Sequence, residues 1–227
     1  FINDKCDFET ISSVFDKCMK SSPDIFSDMC KEGISLNNPV AYHKYALNLI
    51  LNEFQDKHDF EKAQKLFQKS IEGGFNLSYF TLSRLFYEVF KDEKQAFETA
   101  KKGAEKDEKY SKCLFGYFIA HGIGTKKDFK KGVQLILESN ATDFYDFFST
   151  DIGIYYVNLY KEEKQKSKSK IDDENSYGKK AFEFFEKSFK RNKTKAAINN
   201  YAICFLEGIG VEKNVEKSKE LLKMIPK

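Results

Sequence analysis

The 227-residue chain carries 38 Lys+Arg against 35 Asp+Glu, a net charge of +3, so no global field points to nucleic acid or an anionic membrane. Hydrophobic residues make up 41% and charged residues 32%, which excludes a disordered chain. No apolar run is long enough to span a bilayer; the longest, Cys113 to Ala120, is too short.

In chain order, residues 1–38 are the least regular part. Phe8, Ile11, Phe15, Cys18 and Met19 fall at helical spacing and predict a helix over Asp7–Lys20. Ser22-Pro23 breaks it, and Asp24–Glu32 offers a shorter helix ending at Gly33. This segment is expected to be an N-terminal helical cap or a degenerate repeat, with the cap favoured because a terminal unit needs a solvent-tolerant outer face. Asn38-Pro39 then starts a helix: Asn caps the free amides and Pro takes the first turn without losing a bond.

From there the chain repeats itself five times, with boundaries near 40–75, 76–107, 108–141, 147–192 and 195–227. The first helix of each repeat has an apolar anchor at Ala46, Leu82, Phe115, Ile152 or Tyr201. Four residues on stand Ile50, Phe86, Ile119, Tyr156 and Phe205, and the residue after the anchor is small in four of the five. One apolar face with a small neighbour lets a second helix approach closely. The second helices start on a small residue or its equivalent, Ala63, Ala96, Gly132, Ala181 or Ser218, followed by Leu66-Phe67, Thr99-Ala100, Leu135-Ile136, Phe184-Phe185 and Leu221-Leu222.

These small positions are spaced by 33, 36, 49 and 37 residues. The long interval holds residues 161–177, a tract dense in charges of both signs, expected as a flexible insertion between the helices of repeat four. Repeat two is shortened at the corresponding turn, where Glu88–Asp92 replaces a glycine loop. The expected fold is therefore all-α: a right-handed α-solenoid of tandem antiparallel helix pairs.

The turns carry a family signature. Repeat three has Phe115-Gly116, Ile119, Gly122-Ile123-Gly124, Asp128 and Lys131-Gly132; repeat five has Tyr201-Ala202, Phe205, Gly208-Ile209-Gly210-Val211, Asn214 and Lys217-Ser218. This pattern resembles the Sel-one-like repeat (SLR) family, a relative of the tetratricopeptide repeats. Repeats one, two and four keep the helical parts and lack the G-x-G turn; repeat one has Glu53 and Gln55 there. The resemblance implies an adaptor that scaffolds signalling or quality-control complexes, or a regulatory array beside a separate enzyme domain.

The chemistry-bearing motifs favour structure over catalysis. Gly122-Ile123-Gly124 and Gly208-Ile209-Gly210 match neither the phosphate loop nor the dinucleotide fingerprint, and are expected to turn one helix into the next. His43, His58 and His121 share no metal-ligand spacing, and no nucleophile elbow is present. Paired acids at Glu162-Glu163 and Asp172-Asp173 sit in the charged tract. Lys126, Lys127, Lys130 and Lys131 form a basic edge, but acids are interspersed and the aromatics fall on the packing stripe. No catalytic residue, cofactor or metal is expected, nucleic acid and a small-molecule substrate are disfavoured, and the chain is not expected to be an enzyme. Cys6, Cys18, Cys30, Cys113 and Cys204 are odd in number and form no C-x-x-C pair, which favours a reducing compartment such as the cytoplasm or the mitochondrial matrix. The start at Phe1, with no initiator Met or signal pattern, reads as that of a fragment or processed product.

Function is expected on the first-helix face that the core stripe leaves unused. Relative to the anchor, position −1 holds Tyr45, Thr81, Leu114, Asp151 and Asn200; position +2 holds Asn48, Arg84, Tyr117, Ile154 and Ile203; position +6 holds Asn52, Glu88, His121, Asn158 and Glu207. In tetratricopeptide-like arrays the first helices line a concave groove, so this band is the candidate surface for a protein partner within a larger complex. The alternatives are a regulatory repeat segment of a larger enzyme such as a kinase, or a structural subunit of a large organellar assembly. An apolar last helix (Leu221, Leu222, Ile225) running to Pro226-Lys227 without a polar cap suggests further chain or a docked neighbour.

Overall fold

A computed structural model describes residues 8–52, 57–141, 144, 148–166 and 176–225, with the side chains of Phe8, Leu51, Asn52, Lys57, His58 and Lys166 excepted. Among these residues the chain is all-α, an array of helix pairs of the solenoid class with no strand. The helices are α1 (Phe8–Ser21), α2 (Pro23–Ser35), α3 (Pro39–Asn52), α4 (Lys57–Glu72), α5 (Leu77–Leu85), α6 (Glu93–Glu105), α7 (Lys109–His121), α8 (Phe129–Glu138), α9 (Ser149–Lys166), α10 (Tyr177–Arg191), α11 (Lys195–Glu207) and α12 (Val215–Leu222). They fall into two compact bodies. The first holds the described residues up to Phe118 together with Gly122–Lys126, and the second holds Ile119–His121 and the described residues from Lys127 on.

Side-chain caps set where the helices begin. Asn38 Oδ1 accepts from the amides of Val40 (2.9 Å) and Ala41 (3.1 Å), so Pro39 sits in the first turn with nothing lost. Asp128 caps Lys131 N at 3.0 Å, Thr194 caps Ala197 N at 3.3 Å and Asn214 caps Lys217 N at 2.9 Å. Asp92 does the same for Gln95, and that backbone bond holds its carboxyl below the ordinary carboxylate range. Replacing Asn214 by Ala should cost about 1 kcal/mol, read as a lower urea midpoint with an unchanged slope.

Helix exits use a residue in the left-handed region: Asn37, Gly74, Asp107 and Asn140 follow α2, α4, α6 and α8, with φ between 55° and 90°. After three of them the next amide reaches back to the helix, Asn38 N to Gly33 O, Phe75 N to Ser70 O and Glu108 N to Gly103 O. Gly33 is therefore not the stop that the sequence suggested. It lies buried inside α2, where a Cβ would run into Ala41, and Asn37 makes the turn.

In repeats two, three and five the turn from first to second helix closes on one bond. Asp128 N donates to Ile119 O and Asn214 N to Phe205 O, both at 2.8 Å, across turns that contain G-x-G. Repeat two reaches the same closure, Asp92 N to Phe86 O at 2.9 Å, through a π-turn at Phe86–Phe90 and a left-handed Lys91. The G-x-G glycines at 122, 124, 208 and 210 all have positive φ. The second glycine has a further reason to be glycine. A Cβ on Gly124 would strike the carbonyl of Glu93, and one on Gly210 the carbonyl of Gly178, the first turns of α6 and α10. Each turn thus seats on the second helix of the preceding repeat.

The five small positions of the second helices, Ala63, Ala96, Gly132, Ala181 and Ser218, are all buried. On the first helices the residues after the anchors pack tightly as well: Ser83, Gly116, Gly153 and Ala202 are buried, and Gly153 faces the Phe185 ring. The deepest apolar row is the one at +3, which the sequence reading passed over: Leu49, Leu85, Phe118, Tyr155 and Cys204 are all buried. Anchors Phe115 and Tyr201 are only half-buried. In the first body Phe67, Leu85, Ala100 and Phe118 share one core; in the second, Ala181, Phe185, Cys204 and Ile209 share another. The charged tract is partly helical, since Lys161–Lys166 prolong α9 and Tyr177 opens α10; residues 167–175 lie outside the described residues.

Candidate functional site

In the first body the predicted band is only partly a free surface. Tyr45 is half-buried against the α1–α3 core, with the Lys62 ammonium 5.4 Å from its ring centroid. Asn48 is half-buried, and the side chain of Asn52 lies outside the described residues. Arg84 and Glu88 are exposed and form a two-pronged pair, Nε to Oε1 and Nη2 to Oε2, both at 2.9 Å, with Arg84 also lying over Phe80. The spacing i, i+4, from the end of α5 into the π-turn, makes that pair a local event. Tyr117 packs partly into the core beside Phe118, ring centroids 6.2 Å apart. Leu114 is a correction: its place in the −1 row suggested surface, yet it is buried in the same core.

In the second body the band brings residues of different repeats together. His121 Nε2 lies 3.1 Å from Asp151 Oδ2, joining position +6 of one first helix to position −1 of the next. Asn158 is exposed on the wall of a cavity of about 350 Å³ lined by Phe129, Lys130, Tyr155, Leu159, Lys161 and Glu162. It therefore faces the start of α8 as well as its own helix surface. Ile154 is half-buried against the α9–α11 core, Asn200 is half-buried, and Ile203 and Glu207 are exposed. The aromatic residues mostly pack on one another: Tyr156 stacks on Phe184 (5.9 Å, 20°) and Tyr177 (6.1 Å, 22°). Burial, and then Glu186 at 3.4 Å, push the Tyr201 hydroxyl up to about 12.

Sequence reasoning missed a buried polar relay in the first body. Ser70 Oγ donates to Pro39 O at 2.6 Å, so its one proton is spent there, and Ser78 Oγ must donate to Ser70 at 2.8 Å. His43 Nδ1, 2.8 Å from Ser78 Oγ, is then the donor, which fixes the neutral ring with its proton on Nδ1. The imidazole lies edge-on to Phe67 and Phe75, and burial, with Lys44 next, pushes its pKa down to about 3. Only the small-residue row of the second helices (Ser70, Gly103, Ser139, Ser188) could have signalled it. The relay ties the end of α4 to the starts of α3 and α5, and is a packing device with no open side.

Among the described residues no group of His, Cys, Asp and Glu is placed to hold a metal ion. Cys18, Cys30, Cys113 and Cys204 form no disulfide, and burial pushes the thiols of Cys30 and Cys204 up to about 12, far from a reactive thiolate. No described helix is long and apolar enough to cross a membrane.

Tandem helix pairs, left-handed exits and turns seated on the preceding pair define a helical-repeat protein. The chain belongs to the Sel1 repeat family, whose pattern matches residues 39–75, 75–108, 113–138, 178–193 and 195–224. A Sel1 repeat protein from Oxalobacter formigenes has a similar crystal structure, with a TM-score of 0.62 and 19% identity over 93% of this chain and 83% of its own. A protective antigen present in uropathogenic Escherichia coli strains, which displays an SLR fold, gives a TM-score of 0.62 at 18% identity. That match covers 88% of this chain and 40% of the antigen, so the chain spans about two fifths of its length. At these identities the likeness is one of fold. No curated protein matches the chain.

Proposed function

We propose that the chain is a non-catalytic protein-interaction scaffold whose first-helix faces bind a peptide or helical segment of a partner protein. The coarse part follows from the fold, since Sel1 repeat arrays are typically interaction scaffolds. The observation that supports the finer part is a division of labour. The +3 row of the first helices is committed to packing, while their other side keeps Arg84, His121, Asn158, Ile203 and Glu207 at the surface, with Glu88 in the turn after α5. A rigid frame with variable exposed side chains suits recognition of a preformed segment. Half-buried Tyr45, Tyr117 and Ile154 would supply apolar contact, and Asn48, Asn52 and Asn200 hydrogen bonds.

The experiment is affinity capture followed by binding measurements on the partner so identified. Replacing Asn158 or Tyr117 by Ala should weaken binding at least about tenfold, as expected for interface residues that matter, with helical circular dichroism unchanged. Unchanged affinity in both variants would refute the assignment of this face.

A further inference from the structure

The connections that lead from a second helix to the next first helix are not alike. Those after α2, α4, α6 and α8 turn through a left-handed residue, Asn37, Gly74, Asp107 or Asn140. The one between α10 and α11 has none, and its ends are extended: Asn192 has φ −147° and ψ 131°, Thr194 φ −65° and ψ 155°. It is also bare. Residues 190–196 are all exposed, whereas the corresponding capping residues Asn38, Asn76 and Glu108 are half-buried.

The segment is cationic. Lys187, Lys190, Arg191, Lys193 and Lys195 follow one another closely, and no acid stands between Glu186 and Glu207. Part of that charge is answered locally. Lys190 pairs with Glu186 at 3.0 Å, and the Lys187 and Lys193 ammoniums lie 5.2 and 5.8 Å from the Phe184 and Phe189 ring centroids. All five cationic residues are nonetheless exposed. Lys190, Arg191 and Lys193 stand four, three and one residues before the hydroxyl of Thr194. Among the described serines and threonines, no other has a basic residue three positions before it.

These are the features that a protein kinase needs in an acceptor. Its cleft must bring the oxygen in line with a γ-phosphorus at about 3–3.5 Å, which an exposed, unwound segment can enter and a packed helix cannot. Among such segments charge decides, cations before the hydroxyl being read by acids beside the cleft. Thr194 Oγ1 is easily released. It accepts from Ala197 N at 3.3 Å and donates to Asn192 Oδ1 at 3.4 Å, both long for hydrogen bonds. Beyond it α11 opens with Lys195 and has no acid in its first turn, so an added anion meets no carboxylate there. The cations and the extended backbone, rather than the helix start, mark the site.

We propose that Thr194 is a phosphoacceptor for a serine/threonine kinase that selects basic residues before the hydroxyl. Thr194 Oγ1 bonds to the γ-phosphorus of a nucleoside triphosphate, the bond from that phosphorus to the β–γ bridging oxygen breaks, and a nucleoside diphosphate leaves. The hydroxyl proton passes to the catalytic aspartate of the kinase. The product carries a charge of about −2 in the midst of the cationic run, at a point where one hydroxyl had capped α11. Neither Asn158 nor Tyr117 takes part, so the site stands apart from the partner-binding face.

The test is incubation of the whole chain with magnesium ATP and the catalytic subunit of cyclic-AMP-dependent protein kinase, read by site-resolved mass spectrometry. Thr194 should approach one phosphate per chain, with helical circular dichroism unchanged before and after. Arg191→Gln removes the cation three residues before the hydroxyl and should slow labelling of Thr194 at least about tenfold. Thr194→Ser keeps both hydroxyl and cap, and should be labelled at that position as readily as the unmodified chain. No phosphate on Thr194, equal rates in the unmodified chain and R191Q, or labelling confined to a synthetic peptide spanning residues 187–200 would overturn the proposal.

Discussion

Gly210→Ala should destabilise the second body by roughly 2–4 kcal/mol, more than Gly208→Ala two residues away. Both glycines have positive φ, 67° and 71°, so each alanine carries left-handed strain of roughly 1 kcal/mol or more. Around Gly208 an added Cβ finds its nearest neighbours at 3.6 Å, ordinary contact. On Gly210 it collides with the carbonyl of Gly178, which belongs to backbone and cannot swing aside, adding overpacking of roughly 1–3 kcal/mol. Urea titrations of the two variants decide it. Equal losses would mean that the turn is held by its own conformation rather than by its seat on α10.

The second large effect is loss of stability in acid, centred on His43. Its pKa in the folded chain is about 3, against 6.5 for the free side chain, so unfolding takes up a proton wherever the pH is below the free value. The stabilisation from keeping the ring neutral is complete above about pH 6.5 and falls away as the pH drops toward 3. Between pH 7 and pH 5 this amounts to about 2 kcal/mol, at 1.36 kcal/mol per pH unit. His43→Gln cannot titrate, so the difference in unfolding free energy between the two chains should shrink by that amount over the interval. A constant difference would show that the imidazole already reaches water. Lys44, beside it on α3 and only 4% exposed, is held by Asp16 at 2.7 Å and keeps its own charge compensated.

Helices and repeat class were legible because each rests on local signals: a 3.6-residue apolar period, a capping residue, a glycine where φ turns positive. The small residues of the second helices told correctly where two helices touch. The +3 row was harder. Leu49, Leu85, Phe118, Tyr155 and Cys204 share burial but not chemistry, so no recurring residue type marks the row in the sequence. Gly33 failed for a related reason, since a glycine that admits a neighbouring helix looks in sequence like one that ends its own. The surface band was the least legible part. Leu114 and Tyr117 were assigned by position on a helical wheel, and the width of the buried stripe, which decides between core and surface, depends on neighbours that the period does not encode.

In repeats two, three and five the closure bond from the capping residue of the second helix to the carbonyl at position +4 of the first is met equally by a turn containing G-x-G and by the shorter π-turn of repeat two. What these three corners share is one donor and one acceptor; the length of chain between them differs, and where G-x-G is present its second glycine is also held by the seat on the preceding repeat. Descendant copies of the repeat can therefore gain or shed residues there without a compensating change in either helix. This corner is where divergence in length is tolerated.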